Sequence, residues 1–255
     1  MKKIILLLAI AFALVAANCN EDDCCPPQQT GTLELNFKGY FGDELLEMYA
    51  KDYSYEAGMK LKLQLFRFYI SNLIPLMNTS GQQEYLEEVA LVDFEAIQSD
   101  AAAEQGVSIR LEKVPVGNYI GIQMGLGLSE KLNATNPGDY GTDHPLSDNY
   151  WSWALGYVFT KIEGNADING DGVFNDKLTF HIGGNQFYRP KEFSKNFAVK
   201  ADQTTRLDFE VDLRKVLVAG AGDFLDFRKV TIDHTNNMEV ATFISDNLAN
   251  AVVIK

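Results

Sequence analysis

The sequence predicts an all-β fold, a two-sheet antiparallel β-sandwich with a few short helices, and three observations carry that expectation. From Leu33 onward apolar and polar residues alternate with a period of two, which sends successive side chains to opposite faces of a sheet. Gly, Asn and Asp-rich turns punctuate these runs at the short intervals typical of a sandwich. The three cysteines, Cys19, Cys24 and Cys25, all lie near the start, so no disulfide framework or cysteine-based zinc site holds the body together. An ordinary hydrophobic core must do so, and 255 residues, 46% of them apolar, suffice for one large domain.

The chain opens with Lys2 and Lys3 and then an apolar run over residues 4–17, shorter than the roughly 20 residues of a spanning helix. Residues 1–18 therefore read as a secretion signal. Val15-Ala16-Ala17 suits an ordinary signal peptidase, while Asn18-Cys19 suits cleavage before Cys19 with a lipid attached to it. Asn20, Glu21, Asp22 and Asp23 follow directly, an acidic run that resembles the surface-export signals of Bacteroidetes lipoproteins. Residues 19–30 form a lipid-anchored, proline-stiffened tether that cannot bury a core. Cys24 and Cys25 have three readings, a vicinal disulfide, a bridge to another chain or a soft-metal site, and are assigned a minor structural role. No composition break, long linker or repeat divides residues 31–255, which are read as one domain.

Within that domain, residues 206–213 give the clearest strand, with apolar side chains at odd positions and charges at even ones. Residues 107–111 repeat the pattern. Ile120, Ile122, Met124, Leu126 and Leu128 make an apolar row whose opposite row is Tyr119, Gly121, Gln123, Gly125 and Gly127, so a neighbouring aromatic side chain is expected against that backbone. Over 60–70 the apolar phase slips from odd (Leu61, Leu63, Leu65) to even (Phe66, Phe68, Ile70), which predicts a β-bulge or a strand that changes its buried face. Residues 33–38, 88–94, 155–163, 177–182 and 226–232 are further strands. Short helices are expected in 43–50, 94–105 and 237–251.

With 22 Lys+Arg against 35 Asp+Glu the net charge is −13, and nonspecific nucleic-acid binding is disfavoured. The chain has no GxSxG, Walker, GxGxxG or HExxH motif, and Gly125 to Leu128 sit in an alternating strand without a following helix start. The protein reads as a non-enzyme.

One local motif is specific. Residues 167–176 place Asp167, Asn169 and Asp171 at positions 1, 3 and 5 of a calcium-type loop, Gly172 at the sharp turn, Val173 where a backbone carbonyl is used, and Asn175 at position 9. Position 12 is Leu178 where a bidentate Glu is usual, so Asp176 or an acid such as Glu163 would have to complete the shell. The other reading is an Asx-rich hairpin turn satisfied by its own side chains.

A second constellation gathers both tryptophans and two of the three histidines: His144, then Trp151 and Trp153, then His181. On its strand His181 faces away from Leu178, Phe180 and Ile182, and Trp151 and Trp153 share a face. Composition alone assigns the tryptophans to the core and makes the histidines surface or hydrogen-bonded structural residues. His234, flanked by Asp233, Thr235, Asn236 and Asn237, reads as part of a turn or helix start, with Asp233 placed to orient its ring.

Taken in order, LFRFYISNL (65–73), VPVGNYIGIQMGLGL (114–128), YWSWALGYVFTKIEG (150–164), FHIGG (180–184) and RLDFEVDL (206–213) resemble the MbnP-like family, which includes methanobactin-associated and related copper-binding proteins of the bacterial periplasm or cell surface. The resemblance implies a β-sandwich that binds copper through histidines beside a tryptophan, oxidised to kynurenine by a partner dihaem peroxidase-like protein. It assigns His181 and Trp151 or Trp153 to the copper site. Relatives carry an Asn-His pair upstream of the tryptophan block, where this chain has Asn133-Ala134, which leaves His144 as the upstream imidazole. The expectation is a lipid-anchored copper-binding or copper-trafficking protein of the cell envelope, attached to the outer membrane through its lipid alone and facing the periplasm or the exterior. The alternative is a cell-surface interaction module that keeps the fold and holds only structural calcium. A glycan-binding sandwich is a third reading and would need exposed coplanar aromatics.

Overall fold

A computed structural model describes residues 28–78, 85–151 and 155–255. The expected signal peptide, most of the tether, all three cysteines and Trp153 lie outside the described residues.

Strand β1 (Thr30–Phe41) turns through Gly42 into β2 (Glu44–Leu45), and β3 (Asp52–Ser54) leads to the long β4 (Lys60–Leu76). Next come β5 (Glu87–Asp93), helix α1 (Asp100–Gln105), β6 (Val107–Pro115) and β7 (Gly117–Leu126). Helix α2 (Glu130–Asn133) and β8 (Tyr150–Trp151) precede the hairpin of β9 (Gly156–Asp167) and β10 (Asp176–Gly183). Then follow β11 (Arg189–Val199), β12 (Thr204–Asp212), α3 (Leu213–Leu217), β13 (Val218–Gly220), β14 (Asp223–Phe224), β15 (Ile232–Asp233), α4 (Met238–Ala251) and β16 (Val252–Ile254).

Two sheets face each other. The smaller runs β16-β12-β1-β2, with β6 also on β1; the larger runs β11-β7-β4-β9-β10-β15, with β3 and β5 on β4 and β8 on β9. Aromatic rings join them: Phe37 of β1 stacks on Phe209 of β12 at 4.9 Å, and both meet rings of the larger sheet edge-on, Phe68 at 6.4 Å and Phe193 at 5.3 Å. These pairs supply specific geometry beyond area burial. The expected sandwich is therefore present, with one correction to its pairing. β1 lies parallel to β12, from Thr32 opposite Thr204 to Tyr40 opposite Asp212, and β10 lies parallel to β15. Parallel neighbours need a long crossover, and the β1 to β12 crossover contains almost the whole larger sheet.

The phase slip in β4 is a bulge. Leu63 pairs with Gly164 of β9 but Leu65 pairs with Glu163, so Gln64 is the extra residue and Arg67 falls opposite Lys161. Two glycines of the expected row are covered by rings, a Cβ on Gly125 lying 2.0 Å from the Tyr188 ring and one on Gly127, just past β7, 2.7 Å from that of Phe159, whereas Gly121 meets the backbone carbonyl oxygen of Phe193 at 2.5 Å.

Three expected elements differ. Residues 43–50 are not helical, because the amides of Leu46, Met48 and Tyr49 bond outward to Gly39, Ile97 and Leu63, burying Leu46 and Met48. The helix expected in 94–105 shrinks to α1, which starts at its Ser99 cap and stops at Gly106, φ +72. Residues 226–232 form a turn and not a strand, since the Asp226 carboxylate captures the guanidinium and amide of Arg228 and only Ile232 joins the sheet. The 237–251 expectation holds as α4, with the Asn237 side chain accepting from the amides of Glu239 and Val240.

Candidate metal centre

Strand register assembles the site. Asp93 of β5 lies opposite Arg67 of β4, Arg67 opposite Lys161 of β9, and Lys161 opposite His181 of β10. Directly paired residues project from the same face of a sheet. A polar row thus crosses the outer face of the larger sheet while Phe66, Phe68, Ile162 and Phe180 point to the core. Arg67 is held at one end by Asp93, 3.2 Å away, and by Glu95. At the other end His181 Nε2 lies 2.6 Å from Oε1 of Glu163, one step along β9 on the same face.

Two further rings close on His181. β8 pairs with the start of β9, Trp151 opposite Gly156, and sets the Trp151 ring 5.8 Å from that of His181. β15 runs beside β10 with Ile232 opposite Thr179 and Asp233 opposite Phe180, so the next residue, His234, lands beside His181. Their ring centroids are 4.9 Å apart, and Trp151 meets His234 at 5.6 Å. Two imidazoles and an indole therefore converge from three segments that are distant in sequence.

The backbone carrying His234 is fixed on both sides. Buried Asp233 accepts from the amides of Thr235, Asn236 and Asn237, a self-satisfied turn that leads into α4. Its carboxylate holds the backbone and is not given to the imidazole, contrary to the orienting role expected for it. Buried Thr235, at φ +62, donates its hydroxyl to the His181 carbonyl at 3.0 Å and accepts from the Gly183 amide at 3.0 Å. That hydroxyl ties the His234 turn to the His181 strand. Thr235→Val keeps the shape and leaves the Gly183 amide unsatisfied, so it is expected to cost about 2 kcal/mol in urea unfolding. An unchanged stability would show that the clamp contributes nothing.

The electrostatics favour a neutral His181. Burial lowers its pKa first, the Glu163 hydrogen bond and charge oppose that, and Lys161 and His234 lower it further; the net direction is down. Lys161 is itself lowered, by burial and then by Arg67. A neutral imidazole keeps a lone pair at neutral pH, as a metal ligand requires.

His144 is not part of this cluster. It caps the turn Pro145–Ser147, its Nδ1 accepting from the Leu146 amide at 3.1 Å, and its ring stacks on Tyr140 at 4.1 Å. Asn133 is a strut: its Oδ1 accepts from the Tyr157 amide and its Nδ2 donates to the Leu155 carbonyl and to Asn185, which pins the start of β9 beside Trp151. His234, read from sequence as a turn or helix start, has that backbone, yet its side chain joins the site. Glu163 serves His181 and not the 167–176 loop.

In that loop Asp167 is buried, with Oδ1 accepting from the amides of Gly170 and Asp171 and Oδ2 from that of Gly172. Burial acts to raise its pKa, and these amides with that of Asn169 outweigh it and hold the carboxyl below the usual range. Asp171 accepts from the Val173 amide; Asn169, Val173 and Asn175 are exposed, and Asp176 begins β10. The loop thus has the geometry of a self-bonded Asx turn. Among the described residues no group of three or more His, Cys, Asp or Glu side chains is gathered to hold a metal. The convergent donors are two imidazoles, with an indole beside them.

The chain is thus a two-sheet β-sandwich with a histidine-tryptophan cluster on the outer face of its larger sheet. The chain belongs to the MbnP family, whose profile matches residues 30–241. Among solved structures it is similar to MbnP from Methylosinus trichosporium, with a TM-score of 0.52 and 15% identity over 89% of this chain and 98% of that one, a likeness of fold. No curated protein matches. Among the described residues no helix is long and apolar enough to cross a membrane.

Proposed function

We propose that this protein binds copper at the cell envelope, with His181 and His234 as its imidazole ligands and Trp151 as the neighbouring ring that completes the site. The observation that carries the reading is the convergence of these three rings within 4.9 to 5.8 Å. Metal–nitrogen bonds of about 2 Å let imidazoles at this separation reach one ion. Imidazole suits copper, and the family resemblance points to the same metal. An intact indole is a hydrogen-bond donor only and offers a metal no lone pair. Oxidation of Trp151 to kynurenine, in which a dihaem peroxidase-like partner uses two equivalents of peroxide to cleave the indole C2–C3 bond with one oxygen on each carbon, and water then releases C2 as formate, would supply an amine and a carbonyl. That need agrees with a site holding only two imidazoles. Copper would be bound as cargo, without catalysis, by a chain tethered through Cys19 to the outer membrane.

The test is metal content and intact mass of the protein from its native host, with copper and calcium titrated separately into metal-free protein. The expected result is one tightly bound copper and a mass gain of about 4 Da localised to Trp151. No tight copper site and an unmodified mass would overturn the reading.

Calcium at Asp167, Asn169, Asp171, Val173, Asn175 and Asp176 is the second reading, supported by the oxygen-bearing side chains at positions 1, 3 and 5 of the loop and the glycine at its turn. It predicts a thermal midpoint that rises with calcium through preferential binding to the folded state, a rise that Asp167→Ala abolishes. A midpoint indifferent to calcium would leave the loop as an Asx turn alone.

A further inference from the structure

We propose that Glu163 is a positioning residue that holds His181 as its Nε2–H tautomer and leaves Nδ1 as the nitrogen offered to the metal. The inference deepens the copper reading and rests on it. Neutral histidine carries one N–H, and a carboxylate is an acceptor only, so the 2.6 Å contact between Nε2 and Glu163 Oε1 assigns the proton to Nε2. The lone pair is then on Nδ1. Metal-bound histidines are commonly oriented in this way, by a carboxylate on the nitrogen away from the ion.

The placement of Glu163 is set by the strands. Glu163 pairs with Thr179 and Lys161 pairs with His181, so Glu163 reaches the imidazole diagonally across the β9–β10 ladder. The bulge in β4 lies opposite Gly164 and Glu163, and the Glu163 side chain is about 30% exposed against 14% for His181. The carboxylate closes the outer side of the imidazole. It is not counted as a ligand, because carboxylates prefer hard cations and Oε1 is committed to the ring N–H.

The test uses histidine-selective 15N labelling of the full, metal-free protein. The three histidines give few signals, assigned with His144→Ala and His234→Ala. Wild type is expected to show His181 with a protonated Nε2 and a bare Nδ1; a proton on Nδ1, or averaging between the two, overturns the proposal. Glu163→Gln keeps an acceptor oxygen and is expected to keep this tautomer and bind copper within about threefold of wild type. Glu163→Ala is expected to lose the fixed tautomer and about 10–100-fold in copper affinity. Equal losses in the Gln and Ala variants would make the carboxylate a ligand, and wild-type affinity in Glu163→Ala would make it irrelevant; either outcome overturns the proposal. Should wild type take up no copper, the copper reading alone fails, and the metal-free tautomer still decides whether Glu163 fixes the ring.

Discussion

Alanine at His234 is expected to weaken copper binding roughly 100-fold, a loss of about 2.7 kcal/mol, whereas alanine at His144 leaves it unchanged. The contrast follows from where the two rings lie. His234 is 4.9 Å from His181 and 5.6 Å from Trp151, while His144 is committed to Tyr140 and the Leu146 amide. His234 is exposed, and the turn that carries it is held by Asp233 and Thr235 through backbone groups. Its truncation should therefore spare the fold, and the thermal midpoint should stay within about 2 °C of wild type, as for a surface substitution. A chelator-competition titration of the two variants checks both claims. Loss of copper in His144→Ala with retention in His234→Ala would move the ion to the Tyr140 side of the loop and sink the assignment.

That pair of residues also marks where sequence reading stops. Alternation in 206–213 and the odd-to-even slip at Leu65 and Phe66 are local signals, and both appear in the structure as a strand and a bulge. The cap at Asn237 is equally local. The metal centre is not local. It forms because β15 lies parallel beside β10, a pairing between segments about fifty residues apart that periodicity cannot reveal. His144 is the one histidine upstream of the tryptophan block, and position along the chain carries no information about strand order. Glu163 was more nearly within reach. Counting outward from the closing pair of the hairpin, Ala166 opposite Asp176, pairs Glu163 with Thr179 and Lys161 with His181, a count that needs only the two strands of the hairpin and their closing pair. The competing use of Glu163 as a calcium ligand hid it, because the 167–176 motif draws acids on both flanks into its shell.

Alanine at Gly164 is expected to be the most damaging small substitution in the larger sheet, costing about 3 kcal/mol, the upper end for overpacking a well-filled site, and lowering the thermal midpoint by roughly 8 °C. Gly164 lies between β4 and β10, opposite Leu63 on one side and Leu178 on the other. Its φ is not in the left-handed region, so the constraint is space. A Cβ there would sit 2.2 Å from the Lys62 carbonyl oxygen and 3.1 Å from the Leu63 Cα, both backbone atoms that no rotamer change can move aside. The strands would have to part where Gln64 bulges out of β4. From that bulge onward the register brings Arg67 opposite Lys161 and, through β9, aligns Lys161 with His181 and Glu163 with the imidazole. A one-residue slip in that register would turn these side chains to the other face. Gly164→Ala should thus lower copper affinity as well as stability, although it touches none of the proposed ligands. Urea unfolding and copper titration on the same preparation separate the two effects. Lost stability with wild-type affinity would mean that the β9–β10 hairpin holds the site without the bulge, and unchanged stability would mean that the sheet absorbs the extra methyl group.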